Sequence, residues 1–420
     1  MDVESTPTFP PSSTAEPVPD GGYGWVVVFS CFVQTFWLNA WTGPWGILQI
    51  ALLRTTLSNS NSSILSFIGS LGISLSLALG IAAVQVARVI GARWASLLGI
   101  VLYGVGNVAS GFAVHSVPGM FIACGFLYGL SVSLMYAMSN SLPVQWFDKR
   151  LGTANGVVKL GGGIGATVMA IVTGYLTDSL GVAWTFRIMG FASLATGIPA
   201  ALLIKERLQP DSSFIIDWSL FKDVAFCCLF TTGVLGVFAI YAPPFFLPYV
   251  ASSIGLSSSV SAGVVACFNA CMAIGRLASG FACDKLGSMN TLLLTMLLNA
   301  ITMMAVWSVA SSLAILLVFA IFNGIANGAF FVALPTAISR HVGQQRAAGG
   351  MSIALTGWAP GLLLGNPIAG FLIDATGADR ASSIGPYRPA IFYAGGTAML
   401  SAAFALMARL RAGQKVAKKI

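Results

Sequence analysis

Two cations sit where so apolar a chain can least easily carry them. Lys159 lies inside the run GTANGVVKLGGGIGATVMAIVTGYLTD at 152–178, and Arg276 lies inside Ile274-Gly275-Arg276-Leu277. A charge at the centre of a membrane-spanning helix costs about 2.5–3.5 kcal/mol on insertion scales, so each needs a reason. Lys159 falls eight residues after Leu151, and Arg276 falls eight before Asp284. At about 1.5 Å per residue, both lie about 12 Å in from a helix end. Two cations at matched depth on one cavity would make an anion site, since a guanidinium grips a carboxylate through two parallel hydrogen bonds. The competing reading of Lys159 is that it snorkels to headgroups or into loop water.

Other polar residues interrupt apolar stretches: Asn39, Tyr128, Asn140, Asn269, Asn323 and Asn327. Asn323 and Asn327 share a helix face at i,i+4. Each is a candidate for the cavity or for a hydrogen bond between helices. Phe36, Trp37, Trp41 and Trp358 could line a pocket for a larger aromatic solute, or fill a core. No acid falls in the middle of a span; Asp178 and Asp374 lie at outer ends. A carrier that moves protons usually employs an intramembrane carboxylate. Without one, the solute brings its own proton or moves passively, so proton coupling stays open.

Nothing suggests catalysis. The seven cysteines all fall in apolar stretches, and Cys267 and Cys271 have no histidine or acid near them. The two histidines, His115 and His341, are placed in loops. No metal ligands, cofactor motif, paired acids or nucleophile–base pair emerge. The chain is read as a non-enzyme without metal or cofactor.

The elements that must position these residues are membrane helices. Of 420 residues, 56% are hydrophobic and 8% charged, with mean hydropathy +0.85. Globular domains carry about 25% charge, so lipid has to be the solvent. Twelve stretches reach the roughly 20 residues of a spanning helix: 23–46, 64–87, 94–114, 118–142, 152–177, 184–204, 223–249, 260–283, 290–309, 311–338, 348–373 and 389–409. With both termini cytoplasmic, fifteen Lys and Arg fall inside and four outside, as the positive-inside rule requires. The net charge of +8 is therefore about topology rather than nucleic acid. Gly161, Gly165, Gly174, Leu176 and Asp178 recur 196 positions later as Gly357, Gly361, Gly370, Leu372 and Asp374. Such an echo marks two similar halves.

Pairs of small residues recur at Gly125/Gly129, Gly161/Gly165, Gly324/Gly328 and Gly361/Gly365. They let helices approach closely and, functionally, slide. Pro243, Pro244 and Pro248 in span seven, and Pro360 and Pro367 in span eleven, are candidate kinks. Residues 1–19 lack the basic and apolar regions of a leader and read as a disordered cytoplasmic tail. Asn61-Ser62-Ser63 is a glycosylation sequon, placed outside by this topology.

Asp20-Gly21-Gly22-Tyr23-Gly24-Trp25 opens span one, and Trp146-Phe147-Asp148-Lys149-Arg150-Leu151-Gly152-Thr153-Ala154-Asn155-Gly156 opens span five. Both stretches resemble the signatures of the monocarboxylate porter family within the major facilitator superfamily, most like its fungal members. The likeness covers residues 20–411. It implies that spans five and eight face each other across the halves, and that Arg276 is associated with substrate. Better-known animal members carry an Asp where this chain has Met272, and a lysine where it has Gly43-Pro44. The superfamily's gate motif, Gly-x-x-x-Asp-Arg/Lys-x-Gly, is kept as Gly280, Asp284, Lys285 and Gly287. In the first half it is degraded, with Arg88 at the acid position before Gly91.

The resulting expectation is an all-α membrane protein, twelve helices in two six-helix pseudo-repeats at 20–204 and 223–411. A cytoplasmic linker at 205–222 joins them, and a basic tail at 412–420 follows. The expected function is alternating-access transport of a small organic solute, a monocarboxylate or other organic anion, across the plasma membrane. Arg276 and Lys159 would bind it, with Asn39, Tyr128, Asn269, Asn323 and Asn327 lining the cavity. The alternatives are export of a larger fungal metabolite, or a sensor of the same fold. Beyond solute and bilayer, no partner is implied.

Overall fold

The structure, a computed structural model, describes residues 18–58, 60, 62–208, 217–376 and 383–412. The expected tail at 1–17, the sequon asparagine Asn61, residues 209–216 of the linker and the basic stretch from 413 onward lie outside the described residues.

All described regular elements are helical. The first span is α1 (Gly24–Thr42) and α2 (Trp45–Arg54), parted at Gly43-Pro44. The second is α3 (Ser62–Ala78) and α4 (Gly80–Ile90), bent by 55°. Next comes α5 (Ala92–Ala113). The fourth span joins α6 (Val117–Met120), a π-helical turn at Phe121–Leu127, α7 (Tyr128–Ser141) and α8 (Pro143–Trp146). The half closes with α9 (Leu151–Leu180) and α10 (Val182–Leu202). The second half runs α11 (Val224–Ile240), α12 (Ala242–Ser253), α13 (Ser258–Leu286), α14 (Ser288–Ile301), α15 (Leu313–Val342), α16 (Ala347–Ala375) and α17 (Arg388–Ala412). Eleven helices among the described residues are long and apolar enough to cross a membrane, twelve when bent α3–α4 is one span.

The prolines divide by position. Pro243 and Pro244 sit in the first turn of α12, where no amide donor is needed, and the chain breaks just before them at Tyr241. Pro360 and Pro367, expected as candidate kinks, lie inside one continuous helix. α16 runs through both, held by packing on α3, α4, α11, α15 and α17. His341 belongs to the last turn of α15 rather than to a loop.

The four Gly-x-x-x-Gly pairs all lie at close contacts. A Cβ on Gly165 would run into the Phe36 carbonyl, and one on Gly328 into that of Met272. Backbones touch there because nothing intervenes, which in lipid supplies the packing that water-driven burial supplies elsewhere. The ends of the helices bearing residue 18, the inter-half connection and residue 412 share one side of the molecule, here the linker face.

Candidate functional site

Between the halves lies a cavity of about 680 Å³. Its walls are mostly apolar, with Ile73 and Leu77 on one side and Val237, Ile240, Leu362 and Leu363 on the other. It reaches Phe67, near the end of α3 farthest from the linker face, and Phe245, in the first turn of α12.

Lys159 and Arg276 meet at its deep end. Lys159 is only 5% exposed, so it does not snorkel. Its Nζ rests 4.3 Å from the Tyr136 ring centroid and has no hydrogen-bond partner. Arg276 crosses from the second half and donates from Nη1 to the Lys159 carbonyl at 3.1 Å. Its Nε has no partner, and its guanidinium carbon stands 5.8 Å from the Phe331 ring centroid. Among the described residues no Asp or Glu lines the cavity. The corner is thus a pair of cations without a counter-ion, against aromatic faces that favour positive charge.

The glycine run explains how the pair forms. Gly161 and Gly165 face α1, where a Cβ would strike the carbonyls of Phe32 and Phe36. Gly163 turns the other way, where a Cβ would lie 3.3 Å from Arg276 Nη1, and Gly162 sits between, where a Cβ would strike Asn39 Nδ2 of α1 and lie 3.3 Å from the same Nη1. Adjacent glycines therefore serve two neighbours: one face docks α1, and the other receives the guanidinium.

The other predicted residues divide. Asn39, Tyr128, Asn269 and Asn327 line the cavity. Asn39 donates to the Thr35 carbonyl at 3.1 Å and sits against Gly162. The Tyr128 hydroxyl donates to the Leu38 carbonyl at 3.0 Å. Asn327 donates to the Ile240 carbonyl at 2.6 Å, beside the α11–α12 break. Asn323 is a correction: it is fully buried away from the cavity, donating to Asn299 Oδ1 at 3.2 Å and Thr302 Oγ1 at 2.8 Å. One helical turn rotates it onto α14. Asn140 donates to the Tyr136 carbonyl at 2.7 Å and lies outside the lining. Of the aromatics, Trp358 lines the cavity, whereas Phe36, Trp37 and Trp41 do not. Trp41 is stacked between Trp45 and Tyr128, with centroids 4.4 and 4.0 Å away. The sequence reading missed Tyr136, Tyr241 and Phe331. A signal existed for Tyr136: it stands two turns after Tyr128, with Val132 between, and all three face the cavity.

The linker face is closed beneath this corner. Asp284 accepts from the amides of Gly152 at 2.8 Å and Thr153 at 2.7 Å, and from Thr153 Oγ1 at 2.7 Å. These are the first-turn donors of α9, which belongs to the other half, so the acid caps a helix across the interface. Arg340 completes the knot, 2.8 Å from Asp284 and 3.0 Å from the Asp148 carbonyl. Gly152 and Gly280 touch: a Cβ on Gly280 would lie 2.6 Å from the Gly152 carbonyl. Asn155 donates to Thr336 Oγ1 at 2.9 Å, and Gly156 packs on Arg276 and Gly280. Lys149, Arg150 and Lys285 are exposed. Gly287 and Gly91, at φ +95° and +86°, permit matching turns.

The two signature stretches prove to be one contact. Asp20 accepts from the amides of Asp148 at 2.8 Å and Arg150 at 3.2 Å. Trp25 meets Phe147 edge-on, centroids 4.8 Å apart, and Gly24 leaves room for both Trp146 and Phe147. Gly22, at φ +58°, makes the turn with Gly21 that sets Asp20 over the loop. In the first half, Arg88 lies beside Gly349, in the first turn of α16.

A family model of the Major Facilitator Superfamily matches residues 28–248 and 228–419. The chain belongs to that superfamily, a family of membrane transporters and not of enzymes. The Aspyridones efflux protein apdF of Emericella nidulans is 28% identical over 375 residues, 88% of this chain and 76% of its own. The Fujikurins efflux protein of Gibberella fujikuroi is 26% identical over 332 residues, 76% of this chain and 70% of its own. Among solved structures, FucP, a Major Facilitator Superfamily transporter in the outward conformation, has TM-score 0.73 at 14% identity, over 92% of this chain and 99% of its own.

Proposed function

We propose that the chain exports a drug-sized, largely apolar organic acid, docking its anionic group on Arg276 and Lys159. The cavity carries this reading: about 680 Å³ of mostly apolar space with two uncompensated cations in one corner. Sites for drug-sized ligands span about 300–1,000 Å³. A two- or three-carbon acid would leave most of the volume unfilled, so the larger solute displaces the small monocarboxylate as first choice. Efflux follows the printed function of the fungal relatives. The signature stretches support a place near the monocarboxylate porters. With the termini cytoplasmic in the plasma membrane, the knot around Asp284 seals the inside, the cavity faces out, and Asn61 is open to glycosylation. Transport then rocks one half against the other about the midplane corner. With no acid on the cavity, any proton that moves travels on the solute's own acid group.

The test is thermal stabilisation of purified protein by a panel of aromatic carboxylates and sulfonates against the matching neutral alcohols. The anions stabilise the wild type, and Arg276→Gln weakens their binding about tenfold or more, as loss of a charged hydrogen bond predicts. Equal stabilisation of wild type and variant removes the anion site.

A further inference from the structure

Arg276 has two edges, and they point to different work. Nη1 is committed to the Lys159 carbonyl, a bond between the halves at the cavity floor. That carbonyl is reachable because Gly162 and Gly163 put no side chain over it. The Nε edge has no protein partner. We propose that Arg276 is a staple as well as a receptor: its Nη1 bond holds α9 to α13 and keeps the linker face shut, while the rest of the guanidinium, which lines the cavity with Nε buried and unpartnered, is left for the solute. The receptor half rests on the function proposed above; the staple does not.

The staple lies directly above the Asp284 knot on the same two helices, with Gly156 packed on the Arg276 carbonyl between them. Parting the linker face must break both. A lysine at 276 would keep the charge but carries no planar fork, so it could not hold the carbonyl and receive an anion together. A methyl group on Gly163 would do the reverse, pushing Nη1 off the carbonyl while leaving the charge in place.

Cys283 is a native reporter of closure. It is a free, fully buried thiol on α13, and its Cβ faces Gly152 of α9. The experiment measures its modification by the cationic reagent trimethylammonium-ethyl methanethiosulfonate in detergent, read by peptide mass spectrometry. Sulfonate-dependent thermal shift is measured in parallel with naphthalene-2-sulfonate. Arg276→Gln should raise the Cys283 rate about tenfold, the scale of one charged hydrogen bond, and Arg276→Lys should do so only with the sulfonate present. Gly163→Ala should raise it severalfold and keep the thermal shift. Wild-type Cys283 rates in both Arg276→Gln and Gly163→Ala overturn the staple. Fast Cys283 in Arg276→Gln with an undiminished sulfonate shift keeps the staple and overturns the anion site instead. Since a Cβ at Gly163 also meets Ala273 Cβ at 3.3 Å, Gly163→Ala is read beside Gly163→Ala/Arg276→Gln: non-additive Cys283 rates keep the staple and additive ones overturn it.

Discussion

Two crossings close the linker face, α9 on α13 and α4 on α16, and the 196-residue repeat makes them counterparts. They are fastened by different means. At α9–α13 an acid, Asp284, caps a helix of the opposite half, and bare glycines touch beneath it. At α4–α16 the matching position is Arg88, beside the first turn of α16, where the helix dipole opposes a cation. Val84 stands for Gly280 and Leu355 for Lys159; Gly80, for Arg276, packs on Leu355 and Ser352. An acid reaches this second crossing from outside the repeat: Asp217 pairs with Arg346 at 2.6 Å just ahead of α16. Equal topology therefore does not mean equal strength. The Asp284 knot and the cation corner share one crossing, and a carboxylate from the linker reaches the other.

The largest effect should come from Asp284→Ala. It strips two amides and a hydroxyl of their acceptor and leaves Arg340, 20% exposed, without its counter-ion. Breaking a mostly buried pair costs about 3 kcal/mol, seen as a fall in melting temperature and rapid Cys283 modification. Gly280→Ala follows, at about 2 kcal/mol, because backbone rather than a movable side chain stands in the way. Val84, at the equivalent position, already carries a buried side chain, so this backbone-to-backbone contact has no counterpart at α4–α16.

The smallest effect concerns Asp217. Burial alone would raise its carboxyl, but hydrogen bonds from Ser219 and the Arg346 guanidinium outweigh that and hold it below the ordinary carboxylate range. A depressed carboxyl stabilises the fold above its unfolded pKa, and that contribution is lost as pH falls through the folded value. Asp217→Asn should thus melt slightly below wild type at neutral pH, and the gap should close as the solution is acidified. A gap that persists in acid would mean the pair contributes through shape rather than charge. Both partners are partly solvated, so salt should shrink it too.

The span pattern was legible because lipid leaves few solutions for a backbone: length and hydropathy fix a helix almost residue by residue. The depth of Lys159 and Arg276 was legible for the same reason, since rise per residue converts position into distance. Rotation was not. Asn323 and Asn327 share a face by spacing, yet one bonds to α14 and the other meets the cavity, because the boundary between packed helix and open space falls between them.

What the sequence determined alone was a membrane protein of twelve apolar stretches in two echoing halves, with two cations it could not bury cheaply and one degraded gate motif. The spans, the echo and the cations follow from composition and period, which are local, and the gate motif was implied by the family resemblance. The tertiary structure decided which glycines face α1 and which face Arg276, that the two signature stretches touch through Asp20, and that Lys159 turns to the cavity rather than to headgroups. Each depends on how one helix is rotated against a neighbour far away in the chain, and that angle is set by the summed packing of all the helices, which no single stretch contains.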